Sequence, residues 1–284
     1  MQRTIKSLIN LAVSIALVAA VYGAAAHRYE ILDWWFLRSY TPPTRIAALA
    51  DQATMTDVGR RLFYRAQPQI DADRAALTRD CRIDDDKTIE LGCYLSNDKL
   101  YLLDIQQPEL ADEMIVTAAH ETLHAAYDRY SAAERKTLNA QLQQAAASIT
   151  DPKLKERLAD YQKIEPGEQD NELHSILGTE FGNLPPALEE HYAQYFANRS
   201  QLVAYNAAFN RTFDGLHQQI VSLDARIKSE KAQMDALLAS RQISAYNGRV
   251  PGVNSDIESY NSKVEQYNRY ASQLLGTEST QPSQ

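Results

Sequence analysis

Two histidines four residues apart constrain this chain more than any other feature. In His120-Glu121-Thr122-Leu123-His124, both imidazoles reach one ion only if the backbone between them is helical. Residues i and i+4 then stack on one helix face, about one turn apart. Glu121 projects beside them, within reach of a water held by such an ion. Ile115, Val116, Ala119 and Leu123 surround the motif, so its helix is expected in the core. The helix is expected to start at Pro108, with Glu109, Asp112 and Glu113 in its first turn, and to run to about Tyr130. The competing reading is a pair of ordinary histidines on an amphipathic helix. Against it, two of only six histidines in the chain fall in this one pentapeptide.

A catalytic zinc site takes three protein ligands and keeps one position open. The third ligand must therefore come from elsewhere. The best source is the helix expected from about Glu168 to Phe181, which offers Glu172, His174 and Glu180. Glu172 and His174 point in different directions on that helix, so they are alternatives rather than partners. Metal-bound histidines also need groups that orient them, and Asp128 and Glu180 are candidates for that role. Asp128 has a simpler reading as a solvated residue before Arg129, and Glu180 as part of a polar face.

A histidine pair on one helix, followed by Asn171-Glu172-x-x-Ser175 on a later one, resembles the gluzincin metallopeptidases, of which thermolysin is the familiar example. The resemblance covers roughly residues 88–199. It implies one zinc ion per chain, held by His120, His124 and Glu172, with Glu121 as general base. It also implies a peptide substrate lying as an added strand along a sheet edge beside the motif helix. The chain departs from the family in three respects. The interval between His124 and Glu172 is longer. Ile176 stands where the family has an aspartate that orients a ligand. The residues that stabilise the oxyanion have no evident counterpart; His174, His191, Tyr192 and Tyr195 are the available side chains, with packing roles as the alternative.

The N-terminus carries a second constraint. No charged residue occurs between Ser7 and Ala26, a length close to the roughly 20 apolar residues that span a bilayer core. Arg3 and Lys6 precede the stretch, which favours a cytoplasmic N-terminus and an extracytoplasmic remainder. Residues 1–28 are therefore expected to be one transmembrane anchor, with Trp34 and Trp35 near the interface. Ala24-Ala25-Ala26 also fits a cleavage site, which would instead release the chain as a secreted protein. The two cysteines, Cys81 and Cys93, agree with export and are expected to pair there.

The rest of the chain is read mainly as helix. Thr41-Pro42-Pro43 is a break, and short helices are expected from Thr44 to Cys81. The runs 88–95 and 99–105, around Ser96-Asn97-Asp98, read as a β-hairpin, the one clear strand signal. Ser131 and Glu134 form a capping box for the next helix. Thr150-Asp151-Pro152 is expected to cap another, and Glu165-Pro166-Gly167 to form a loop. Leu216, Ile220, Leu223 and Ile227, then Ile257, Tyr260, Val264 and Tyr267, keep a 3–4 spacing. With Asn247-Gly248-Arg249-Val250-Pro251-Gly252 as the turn between them, they read as an antiparallel coiled-coil hairpin over 201–275. Residues 276–284 are expected to be a disordered tail.

The expected fold is thus α+β and predominantly helical: a zincin-like core over 44–200, an N-terminal anchor and a helical hairpin. The net charge of −8 and the absence of a phosphate-binding glycine loop exclude nucleic-acid and nucleotide chemistry. The expected activity is hydrolysis of peptide bonds by a metal-activated water. The alternative is a non-catalytic envelope scaffold, with a structural metal site and a partner-binding or self-associating coiled coil. Retention of Glu121 favours the enzyme, since a structural site needs no base.

Overall fold

The computed structural model describes residues 2–82, 90–152, 154, 155, 158, 159 and 167–276. It divides into two units, Met1–Pro43 and Thr44–Gln284.

The first unit contains α1 (Gln2–Ala26) and α2 (Arg28–Leu37). Among the described residues no single helix is long and apolar enough to cross a membrane. The pair Val13–Ala26 and Arg28–Leu37, bent by 67°, passes that test together. Its large apolar side chains, including Ile15, Val18, Val21, Trp34 and Trp35, are exposed.

The second unit is mostly helical with one small mixed sheet. It begins with α3 (Thr44–Gln52) and α4 (Asp57–Arg65). Thr56 caps α4, its side chain accepting the Gly59 N–H. Then come β1 (Gln69–Asp71), α5 (Arg74–Cys81), β2 (Gly92–Leu95) and β3 (Lys99–Leu103). The expected hairpin is β2–β3, with Asp98 left-handed in its turn. Residues 88 and 89 of the expected first run lie outside the described residues.

Sequence reading missed β1. It is three residues long and sits in a stretch read as helical, and it exists because β3 offers it a parallel partner, with Ile70 opposite Leu102. The order β1-β3-β2 makes β3 central, with Leu100, Leu102 and Leu103 buried, and leaves β2 as an edge.

The motif helix, α6, spans Glu113–Tyr127. It starts five residues later than expected. Pro108 presets a turn rather than a helix: Leu110 N–H bonds to Gln107 O, and Glu113 N–H to Leu110 O. α6 is buried on nearly every side, as a central core helix must be. The Ser131–Glu134 capping box opens α7 (Ala132–Ser148). The helix expected after Thr150-Asp151-Pro152, and the loop at Glu165-Pro166, fall largely outside the described residues.

Next come α8 (Gln169–Glu180) and α9 (Pro186–Ala193). Gly178 lets α8 approach closely. A Cβ built there would meet Leu123 Cδ1 at 2.4 Å and Tyr192 Cε1 at 2.7 Å. The buried Arg199 closes the C-terminal end of α8, donating to the carbonyls of Leu177 and Phe181 while pairing with Glu189.

Two long helices, α10 (Arg199–Ala239) and α11 (Ile243–Leu275), run antiparallel. Arg226 pairs with Asp256, and Arg249 with Glu230. The turn expected at Asn247–Gly252 is not there. It lies at Ser240–Gln242, where Arg241 adopts φ 59°, and α11 continues through Pro251. A proline costs a helix interior about 3 kcal/mol. Packing against α10 opposes that cost here: Val253 is buried, and Arg249 and Asp256 pair with α10 on either side of Pro251. The roots of these helices, through Leu202, Leu216, Tyr270 and Leu274, belong to the same apolar core as α6. Residues 277–284, expected as a tail, lie outside the described residues.

Candidate metal centre

One face of α6 carries Glu113, Thr117, His120, Glu121, His124 and Asp128 at helical spacing. That face lines a cavity of about 380 Å³, closed by β2 and α8. Its position follows from packing. Gly92 brings β2 against α6: a Cβ there would meet Thr117 Cγ2 at 2.7 Å. Gly178 does the same for α8.

Glu172, on α8, reaches both histidines. Its Oε2 lies 3.6 Å from His120 Nε2, and its Oε1 lies 3.4 Å from His124 Nε2. One ligand atom from each residue falls within 4.8 Å of the others. Tetrahedral zinc with bonds of about 2.1 Å places its ligand atoms about 3.4 Å apart, close to both distances. Two imidazole nitrogens and a carboxylate oxygen are also the donor set of a hydrolytic zinc site. The residues therefore fit a chelated metal ion, and the cluster matches the HExxH…E geometry of gluzincins. Such clustered His, His and Glu atoms are the arrangement found in catalytic sites of zinc hydrolases.

His124 is oriented by a residue that the sequence reading passed over. Its Nδ1 lies 2.9 Å from Asn171 Oδ1, and Asn171 Nδ2 donates to Glu168 Oε2 at 3.0 Å. The second bond sets the amide's direction, so Oδ1 faces the ring as an acceptor. His124 therefore carries its proton on Nδ1, and Nε2 keeps a lone pair for a metal. The signal was present as the Asn that directly precedes Glu172.

Electrostatics follow from burial and these neighbours. Burial disfavours the charged form of His120, but its hydrogen bond to Glu172, with the charges of Glu121, Glu172 and Glu180, outweighs this and pushes the pKa up to about 9. Burial raises the Glu121 carboxyl above the ordinary range, against the opposing pull of His124 and His120.

The other expected residues are placed as follows. Asp128 lines the cavity and pairs with Arg135 at 3.7 Å. Glu180 lines the cavity and bears on His120. His174 lies behind the ligand face, fully buried, with its Nε2 2.9 Å from His191 Nε2. Tyr192 donates to the carbonyl of His174 at 2.7 Å, and Tyr195 bonds to Tyr130. His174 and Tyr192 thus join α8 to α9, and none of His174, His191, Tyr192 and Tyr195 lines the cavity. Burial pushes the His191 pKa down to about 4 and that of His174 well below its ordinary value. Cys81 and Cys93 form a disulfide that ties α5 to β2.

Compared with protein-family models, curated proteins and solved structures, the chain has no match.

Proposed function

We propose that the chain is a zinc metallopeptidase, anchored at a membrane by its N-terminal unit and working outside the cytoplasm. The observation that carries this reading is the reach of Glu172 to both motif histidines, with Glu121 beside them. His120, His124 and Glu172 would hold one zinc ion. Bound there, zinc supplies Lewis acidity: it polarises the carbonyl to be cut and acidifies the attacking water.

Glu121 moves the proton. Its carboxylate takes a proton from the attacking water as the carbon–oxygen bond forms, then delivers it to the amine nitrogen as the carbon–nitrogen bond breaks. Burial raises the pKa of Glu121, which makes its carboxylate a stronger base for the first half of that transfer.

The edge of β2 holds the substrate. Leu103 N–H bonds to Leu91 O, so in an antiparallel ladder Cys93 faces Tyr101 of β3 while Gly92 and Tyr94 turn their polar groups outward. Tyr94 also bears through its backbone on Glu121. A peptide added along this edge passes the metal ligands in extended form.

Location is supported by other features. The apolar pair Val13–Ala26 and Arg28–Leu37 exposes apolar and Trp side chains and follows Arg3 and Lys6 in sequence, and the disulfide suits an oxidising compartment. We read 44–200 as the catalytic region and 201–275 as a coiled-coil hairpin that docks a partner or a second copy.

The test uses the full chain in detergent. Stoichiometric zinc and peptide cleavage are expected, with cleavage abolished and fold and zinc kept in Glu121→Gln. Equal behaviour of wild type and Glu121→Gln would leave only a structural metal in an envelope scaffold.

A further inference from the structure

The first unit carries two helices that meet at a bend, and charge separates their roles. α1 is continuous over Gln2–Ala26, and no charged residue lies between Ser7 and Ala26. A helix of that uncharged length is about 30 Å long, the thickness of a bilayer core. Val13–Ala26 is only the part of it whose side chains are described. α2 holds Arg28, Glu30 and Asp33 within one helix of 10 residues, with Arg38 just after it. Charged groups in the middle of a bilayer are costly and need partners there. α1 therefore has the length and composition of a span, and α2 has neither. The bend between Val13–Ala26 and α2 is 67°.

The two sides of α2 differ. At about 100° per residue, Ile31, Leu32 and Trp35 share one side, and Glu30 and Asp33 lie opposite. Ile31, Leu32 and Trp35 are 51%, 55% and 58% exposed, and Trp34 at their margin is 67% exposed, whereas Asp33 is buried. Arg28 and Arg38 flank the apolar side at its two ends. Each stacks on an aromatic ring, Arg28 over Tyr29 at 4.5 Å and Arg38 over Trp35 at 3.4 Å from the ring centre. Tryptophan and arginine suit the headgroup layer together: the amphipathic ring sits at that depth, and the cation meets lipid phosphate.

We propose that α1 crosses the bilayer alone and that α2 lies along the membrane surface, with Ile31, Leu32 and Trp35 sunk into the phospholipid headgroup region. This placement rests on the membrane-anchor reading. Lipid is the occupant of the exposed face because α2 begins one residue after α1 ends, so it emerges where the headgroups are. A helix bent 67° from a span along the bilayer normal lies closer to the membrane plane than to that normal. Burying its apolar side in the interface removes exposed apolar area from water, while Glu30 and Asp33 stay on the side away from lipid. A second contact beside the span also limits the tilt and rotation of α1.

Trp34 and Trp35 are the only two tryptophans in the chain, so its intrinsic fluorescence reports the depth of α2. The test reconstitutes the full chain in vesicles of phosphatidylcholine with a minor share of phosphatidylglycerol. It compares lipids brominated near the glycerol end of the acyl chain, at its middle, or near its methyl end. Quenching is expected to be strongest with the first and weakest with the last. The direction of α2 is read from Trp34→Phe, which keeps Trp35, and from the triple variant Trp34→Phe, Trp35→Phe, Ile31→Trp. Positions 31 and 35 are about 6 Å apart along a helix, so α2 at 67° to the span separates them in depth by about 2 Å, and a continuing span by about 6 Å. A separation near 2 Å supports the proposal. A separation near 6 Å, or strongest quenching from the methyl end, overturns it and makes α2 part of the span. Flotation of the chain with vesicles but no quenching by any lipid also overturns it, assigns the face to protein, and leaves the anchor reading standing. No flotation overturns both. Wild-type quenching decides whether the face meets lipid even if a variant fails to fold.

Discussion

His124 Nδ1 lies 2.9 Å from Oδ1 of Asn171, the residue immediately before Glu172. Two consecutive residues of α8 thus address the same imidazole from different sides: one fixes its tautomer, and the other stands beside it as a metal ligand. Replacing Asn171 with Ala is expected to weaken zinc binding about 10–100-fold, the usual cost of removing a group that orients a ligand histidine. Asn171→Asp, which keeps an acceptor, should recover most of it. Competition against a chelator measures both. Unchanged affinity in Asn171→Ala would show that the ring needs no such support.

Zinc binding should release protons. His120 has a pKa pushed up to about 9 from an ordinary 6.5 by neighbouring carboxylates. A raised histidine pKa stabilises the charged form, so its attraction to Glu172 is fully present below about pH 6.5 and fades as pH rises through about 9. A metal requires the neutral ring. Binding near neutral pH is therefore expected to expel about one proton from His120, with affinity rising about tenfold per pH unit until the ring is neutral. Calorimetry in buffers of different ionisation enthalpy counts the protons. A count near zero would contradict the geometry around Glu172.

The disulfide closes a loop of sequence separation 12, which the chain-entropy model values at about 3 kcal/mol. Its more specific effect falls on β2, because Cys93 lines the cavity. The variant with both Cys81 and Cys93 changed to Ser should unfold at lower urea concentration. It should also lose kcat/KM for peptides by more than it loses zinc affinity, since the metal ligands sit on α6 and α8. Equal losses would mean that the strand edge does not depend on this tie.

Gly178 permits the close approach of α8 to α6. A methyl group there must displace Leu123 or Tyr192, and overpacking of this kind costs about 1–3 kcal/mol. Gly178→Ala is expected to lower Tm and to weaken zinc binding as well, because α8 carries Glu172. A destabilised variant with wild-type metal affinity would show that α8 shifts without moving its ligand.

Local chemistry was legible where a short stretch of chain settles it. The β2–β3 hairpin followed from two strand-forming runs around Ser96-Asn97-Asp98, the α7 start from Ser131 and Glu134, and the ligand pair from its i, i+4 spacing on a helix. Each depends on neighbours in sequence. The turn between α10 and α11 was misplaced for the same reason. Gly248, Pro251 and Gly252 are breakers by local rules, and packing and ion pairing against α10 oppose them. β1 was invisible because three residues form a strand only when another strand is beside them.

The sequence by itself determined that two histidines and a glutamate share one helix face and that a second helix offers Glu172, His174 and Glu180. Tertiary structure alone chose among those three. α8 packs on α6 through Gly178 at an angle that turns Glu172 toward both imidazoles and His174 into the core, against His191. The choice rests on the rotation and approach of one helix against another. Side-chain shape across the interface sets these quantities, and spacing along the chain does not contain them.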